Sequence, residues 1–167
     1  MCMDRQPSTS VSEVYARSCG PLIGLLHVMG GSASDAEEVA QDAFVKLLEH
    51  WTKVRDYDDI DAWLRTVAVR LLISRHRRRS VATLGLKRLA GRPIHEMTDG
   101  TDDRLDLETA LLGLPITQRA VLLLHHVHDL PVDDVADLLR LPTGTVKSRL
   151  SRARAALAPQ LSERSTS

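Results

Sequence analysis

The chain has 167 residues, a length that holds one domain or two small ones. Hydrophobic residues make up 43% of it and aromatic residues only 3%, and this Leu-, Ala- and Val-rich composition favours helices over sheets. No apolar stretch approaches the ~20 residues of a membrane span, and the first twelve residues lack the apolar run of a signal peptide. We therefore expect a cytoplasmic protein with no membrane insertion.

The formal net charge is zero, but the charges are unevenly distributed along the chain. Residues 64–92 contain nine Lys and Arg and no acid, and residues 138–162 contain five with no acid. Residues 35–61 contain nine acids against three bases. Because charges act locally, over roughly 8–10 Å at physiological ionic strength, this distribution predicts two surfaces for a polyanion and one for a basic partner.

In the first half, residues 1–10 read as a disordered tail and residues 11–29 as a helix that ends at Gly30 and Gly31. Ser34 and Glu37 have the spacing of a capping box for a second helix. The apolar residues of that helix recur at three and four positions over four turns: Ala36, Val39, Ala40, Ala43, Phe44, Leu47, Leu48 and Trp51.

Residues 52–61 are polar, and Asp61 then has the position of a cap for a third long helix. The apolar stripe of this helix, which begins at Leu64, leads into the basic run of residues 75–79. Residues 82–104 contain three glycines and a proline without lasting periodicity. We therefore predict an N-terminal domain over residues 11–80, a flexible linker over 81–104 and a C-terminal domain over 105–160.

The second half restarts with a helical stretch at residues 105–112 and a turn at 113–115. Residues 116–127, 132–139 and 143–157 then read as three further helices. Strand-like alternation never lasts more than a few residues. The predicted fold is therefore all-α, with two small helical domains joined by a flexible linker.

The last two helices have the layout of a helix-turn-helix. In the second of them an apolar stripe, Val146, Leu150, Ala153 and Leu157, has the spacing of one buried face. The opposite face carries short hydrogen-bonding residues and cations: Thr145, Lys147, Ser148, Arg149, Ser151, Arg152 and Arg154. A major groove about 12 Å wide admits such a helix, so DNA binding is predicted over a merely solvated basic face.

Four segments in order resemble the extracytoplasmic-function (ECF) sigma factors of bacterial RNA polymerase. Residues 35–44 (DAEEVAQDAF) are similar to the polymerase-binding helix, and residues 62–70 (AWLRTVAVR) to the −10-recognition helix. Residues 114–124 (LPITQRAVLLL) and 144–157 (GTVKSRLSRARAAL) resemble the C-terminal domain and its −35-reading helix.

The resemblance implies a factor that binds core RNA polymerase and promoter DNA, with an anti-sigma factor as a further partner. The −35 element would be faced by the seven polar residues named above for the last helix, which lie between Thr145 and Arg154. The −10 element would meet Arg55, Asp56, Tyr57, Trp63, Arg65, Arg70 and Arg77. The polymerase would be bound by Asp35, Glu38, Gln41, Asp42 and Phe44, since an acidic helix suits a basic partner.

The chain departs from the family pattern at several positions. Arg70 and Ser74 stand where Asn and Asp are usual, which bears on base selectivity at −10. Pro131 and Pro142 replace residues that often cap the two short helices, and Pro is tolerated in a first helical turn.

Two other functions fit parts of the sequence. A stand-alone helix-turn-helix regulator would bind an operator without polymerase, but it has no need of the acidic helix. A helical interaction module would not bind DNA. We expect no catalysis, cofactor or metal site, because His125, His126 and His128 lack the spacing of metal ligands and no phosphate loop or nucleophile motif is present.

Overall fold

The computed structural model describes residues 9–86 and 102–162. In these two ranges the regular structure is entirely helical. In chain order the helices are α1 (Val11–Gly30), α2 (Ala33–Glu49), α3 (Trp51–Val54), α4 (Ile60–Leu86), α5 (Asp102–Leu112), α6 (Ile116–His126), α7 (Val132–Leu139) and α8 (Thr143–Ser162). The all-α prediction is confirmed.

Helices α1, α2 and α4 pack around the core of the N-terminal half, with the single turn of α3 connecting α2 to α4. The buried side chains of α2 recur at the predicted helical spacing: Ala36, Val39, Ala40, Ala43, Phe44 and Leu47. Leu48 was predicted on this face, but its side chain is 59% exposed because it lies past the edge of the buried stripe.

The helix caps differ in part from the predictions. The Ser32 hydroxyl, not that of Ser34, caps α2 by accepting a hydrogen bond from the Asp35 N–H at 3.2 Å. At the start of α4 the Asp59 carboxylate accepts from the Ala62 N–H at 2.8 Å, so Asp59 takes the capping contact expected of Asp61. Asp61 instead accepts hydrogen bonds from Arg17 and Ser18 of α1.

Helix α1 has well-defined ends. Ser10 and Glu13 form a reciprocal capping box, in which each side chain accepts a hydrogen bond from the other residue's N–H. The helix ends at Gly31, whose φ of 78° is the left-handed conformation that glycine adopts without steric cost. A Cβ at Gly31 would also lie 2.5 Å from Leu112 Cδ2, so a larger residue there would have to displace the end of that side chain.

Helices α5 to α8 form the C-terminal half, in which α7 and α8 build the helix-turn-helix over α6. Val146, Leu150, Ala153 and Leu157 are buried, as the apolar stripe predicts. The turn between α7 and α8 passes through Arg140, whose φ of 55° is left-handed.

The two halves pack against each other through α1, α4, α5, α6 and α7. Arg119 of α6 is 5% exposed and bridges them, because its guanidinium donates to Met29 O of α1 as well as to three carbonyls of its own domain. At the same junction His27 Nε2 lies 3.4 Å from Glu108 Oε1. Helix α4 runs on to Leu86, beyond the predicted boundary at residue 80, and residues 87–101 of the predicted linker lie outside the described ranges. None of the described helices is long and apolar enough to cross a membrane.

Candidate nucleic-acid and protein interfaces

The outer face of α8 presents the polar residues that the sequence singled out. Lys147, Ser148, Ser151, Arg152 and Arg154 are exposed, and Thr145 and Arg149 are half-buried. The four buried apolar residues on the opposite side anchor the helix, so the five exposed side chains share one solvent-facing surface, whereas Arg149 Nη1 is shielded from solvent. A helix with this surface can lie in a major groove and donate hydrogen bonds to bases and phosphates.

Contacts with the neighbouring helices position this surface. The Thr143 hydroxyl donates to Asp133 Oδ1 at 3.1 Å and so ties the start of α8 to the start of α7. Arg154 Nε donates to His126 Nε2 at 3.2 Å. Burial, followed by the nearby Arg154 cation, lowers the pKa of His126, which keeps its ring neutral and able to accept this bond.

The residues assigned to −10 recognition fall into two groups. Arg55, Asp56 and Tyr57 are exposed in the turn after α3, and Arg77 is exposed on the distal part of α4. Trp63 is half-buried on α4, with its ring edge-on to His50 at a centroid distance of 6.1 Å. These residues present an accessible polar and aromatic surface.

Arg65 and Arg70 of α4 lie at the junction with the C-terminal half instead. Arg65 is half-buried, and its Nε is shielded from solvent without a hydrogen-bond partner. Arg70 Nε donates to Leu138 O at 2.7 Å and Arg70 Nη2 donates to Asp137 O at 3.0 Å. In this conformation the helix-turn-helix covers part of the predicted −10 surface.

The acidic face of α2 is partly neutralised within the chain. Asp35 accepts from both terminal nitrogens of Arg79, and Arg75 contacts Asp35 and Glu38. Both arginines belong to the basic segment of residues 64–92 that was predicted to face a polyanion. Their contacts with α2 were not predicted, because α2 and α4 are far apart in sequence and nothing local signals their pairing.

The rest of the α2 surface combines acidic and apolar side chains. Gln41 and Asp42 are exposed, and Val45 and Leu48 beside them on the same face are 51% and 59% exposed. Phe44 was predicted to belong to this face, but it is 6% exposed and packs on Tyr15, so it belongs to the core. Positions 41, 45 and 48 have the spacing of one helix face. This spacing could have identified Val45 and Leu48 from the sequence as part of the surface that carries Gln41.

Two histidines at the end of α6 have contacts within the protein. His125 Nδ1 lies 2.8 Å from Leu130 O, and His126 receives Arg154. Within the described part of the chain, no group of three His, Cys, Asp or Glu residues is placed to hold a metal ion.

The fold and these surfaces define a two-domain helical protein with a DNA-reading helix-turn-helix. Comparison with known families agrees: the model of sigma-70 region 2 matches residues 15–81 and that of sigma-70 region 4 matches residues 104–157. The RNA polymerase sigma-E factor of Streptomyces coelicolor is 31% identical over 127 residues, which cover 76% of this chain and 72% of that protein. The ECF RNA polymerase sigma factor SigW of Bacillus subtilis is 29% identical over 154 residues, covering 82% and 81%.

Among solved structures, the sigma factor RpoE of Bartonella quintana, crystallised with the anti-sigma factor NepR, has a TM-score of 0.71. It is 24% identical, and the match covers 90% of this chain and 96% of that one. The chain belongs to the ECF sigma factors of bacterial RNA polymerase. Its class of activity is promoter-specific initiation of transcription together with core RNA polymerase.

Proposed function

We propose that the outer face of α8 reads the −35 element, that the surface of α3 and α4 binds the −10 element, and that the exposed face of α2 docks on core polymerase. The observation that carries this proposal is the separation of the surfaces. The α8 face exposes cations over a buried apolar stripe, whereas the α2 face exposes carboxylates and apolar side chains.

At −35 we assign the base edges to Lys147, Ser148, Ser151 and Arg152, all exposed on the outer face of α8. Thr145, Arg149 and Arg154 lie nearer the phosphates in this assignment. Small hydroxyl residues let the backbone approach the groove, and cations donate to guanine edges or phosphates.

At −10 we assign capture of an unpaired base to the turn with Arg55, Asp56 and Tyr57, beside Trp63. Aromatic and cationic side chains stack on single-stranded bases and hold their phosphates, which fits a surface that helps to melt DNA. Arg65, Arg70 and Arg77 supply phosphate contacts. Because Arg70 and Ser74 replace the usual Asn and Asp, we expect looser base selection and stronger phosphate binding here.

On the polymerase side we assign Gln41 and Asp42 together with Asp35 and Glu38, and we add the exposed Val45 and Leu48. Apolar side chains surrounded by acids favour a partner surface that is basic and partly apolar. Arg75 and Arg79 hold Asp35 and Glu38 in place and lessen their charge. Gln41, Asp42, Val45 and Leu48 are therefore the main contact residues in this proposal.

The remaining parts of the assignment follow from this role. The protein works in the cytoplasm, where polymerase and promoters are, and it contributes binding surfaces, not catalysis. An anti-sigma factor is a further partner, by analogy with the Bartonella quintana complex. The predicted domains of residues 11–80 and 105–160 are extended to residues 11–86 and 102–162 in this proposal, because α4 continues to Leu86 and α5 begins at Asp102.

The test is capture of purified core polymerase by the tagged chain, followed by run-off transcription on genomic fragments. We expect capture and defined start sites with the chain, and none with core enzyme alone. An Asp42→Arg variant should lose capture while keeping its fold, and Asp58→Arg, which reverses an exposed carboxylate outside α2, is its matched control. Tight, polymerase-independent binding of duplex DNA, with no run-off product, would instead favour the stand-alone regulator.

A further inference from the structure

A cavity of about 330 Å³ separates α4 from the helix-turn-helix, and its two walls carry opposite charges. Arg65, Thr66 and Arg70 of α4 form one wall. Asp134, Asp137 and Leu138 of α7 line the other. Two residues of the α4 wall, Arg65 and Arg70, are among those that the proposed function assigns to promoter phosphates.

Arg70 crosses this junction. It donates to the carbonyls of Asp137 and Leu138 in the last turn of α7, where a helix leaves acceptors without a partner in the next turn. The Asp137 carbonyl also accepts from the Arg140 N–H at 3.2 Å. The carboxyl end of a helix carries partial negative charge, so a guanidinium is favoured there much as it is beside a phosphate. These contacts join residues 67 and 68 positions apart in the chain.

We propose that Arg70 is a latch between two binding states: in the chain alone it holds the carboxyl end of α7, and on opening it is released to a promoter phosphate. This inference rests on the proposed function and adds to it. While the latch is closed, α7 occupies the place of the −10 strand, so the chain alone binds that strand poorly.

The closed position of Arg70 carries an electrostatic cost, and this cost favours its release. Burial, and then the nearby Arg140 cation, lower the pKa of Arg70, which means that the guanidinium gives up hydration and meets a like charge at the junction. A partner that separates the two halves therefore relieves this cost. Core polymerase, which in the proposed function must bind α2 and leave both promoter surfaces accessible, is such a partner.

The latch is tested by measuring the distance between the two halves in the full chain. Spin labels on Lys53→Cys in α3 and Ala155→Cys in α8, with Cys2 and Cys19 replaced by serine, report that distance by double electron–electron resonance. We expect one short, narrow distance for the unsubstituted latch. Arg70→Ala should increase the open population about tenfold, the effect of losing a charged hydrogen bond. Arg70→Lys should fall between the two.

Two further substitutions separate the latch from general damage. Asp137→Lys places a cation on the α7 wall, where the Arg140 cation already opposes Arg70, and leaves every −10 residue intact, so it should also increase the open population. Its matched control, Asp133→Lys, makes the same change of charge on the side of α7 that faces α8, and Arg78→Ala removes an exposed arginine of α4. Both controls should keep the short distance. Thermal melting checks that every variant is folded.

A fluorescent single-stranded DNA of mixed sequence provides the binding readout. Asp137→Lys should bind it severalfold more tightly than the unsubstituted chain and than Asp133→Lys, whereas Arg70→Ala should not gain affinity, because it has also lost the cation. The latch would be overturned by a broad distance distribution in the unsubstituted chain, by an unchanged distance in folded Arg70→Ala, or by an Asp137→Lys variant that binds the DNA no more tightly than Asp133→Lys. Failure of polymerase capture and run-off would instead reject the proposed function, since the distance measurement needs neither polymerase nor promoter.

Discussion

The ring of Phe44 on α2 packs against the ring of Tyr15 on α1, with centroids 4.8 Å apart and planes tilted by 56°. Phe44 is 6% exposed, while Tyr15 is 53% exposed and covers it from outside. A tilted pair at this distance adds to the stability gained by burying the ring. The contact ties α2 to α1.

Phe44→Ala should therefore destabilise the N-terminal half by about 3–5 kcal/mol, the usual range for a truncated buried aromatic residue. Polymerase capture should fall only as far as folding does. Urea unfolding followed by circular dichroism measures the first effect, and capture at a temperature where the variant is folded measures the second. A folded Phe44→Leu variant that nevertheless loses capture would restore Phe44 to the docking surface.

The sequence predicted the helices well because their apolar residues follow a period that only one buried face satisfies. The predictions were less accurate at the helix caps. A rule based on local sequence cannot distinguish Ser32 from Ser34, or Asp59 from Asp61, as the capping residue. Which of them bonds to the helix depends on the path of the incoming chain. The actual contacts appear only after folding.

The candidate site was predictable where one helix builds it, as on α8. It was not predictable where distant segments meet, because sequence spacing carries no information on which helices pair. The contacts of Arg70 with α7 and of Arg79 with Asp35 are of this kind. Both arginines lie in the basic segment that was predicted to face a polyanion, yet in the structure their partners belong to the protein.

Arg140 is a site where a smaller residue should stabilise the fold. Its left-handed φ of 55° costs a residue with a Cβ roughly 1–2 kcal/mol, and glycine avoids most of that cost. Arg140→Gly should therefore raise the unfolding free energy by about 1 kcal/mol, measured from the urea midpoint. Arg140→Ala keeps the strained backbone and removes only the charge, so an equal gain in that variant would argue against backbone strain.

His128 should make the stability depend on pH. Burial and then the Arg65 cation lower its pKa, so the folded chain favours the neutral ring. The resulting stabilisation is fully present above the ordinary value of 6.5 and is lost as the pH falls below that value toward the lowered pKa.

Thermal unfolding between about pH 7.5 and about pH 5.5 checks this expectation. The melting temperature should fall toward the acidic end, and it should fall less in His128→Gln. Parallel curves for the two proteins would show that His128 does not contribute.

Arg152 and Arg154 of α8 should differ in their effect on promoter choice. Arg152→Ala should weaken −35 binding by ~1–3 kcal/mol and relax its selection, the usual consequence of losing a base contact. Arg154→Ala should weaken binding evenly across sequences, because phosphates are the same at every site. Run-off competition between promoters altered at −35 measures both effects, and unchanged promoter preference in Arg152→Ala would contradict the proposed docking.

Arg119 is held by four main-chain carbonyls, those of Met29, Leu111, Leu112 and Leu114. Arg119→Ala leaves these carbonyls without their donor. A carbonyl is present whatever the side chain, so no substitution at the partner positions can remove the unpaired acceptor. A screen for second-site suppressors of Arg119→Ala should accordingly return no compensating change at those four positions. Recovered strains would carry reversions of the altered codon, or changes elsewhere that raise stability in general.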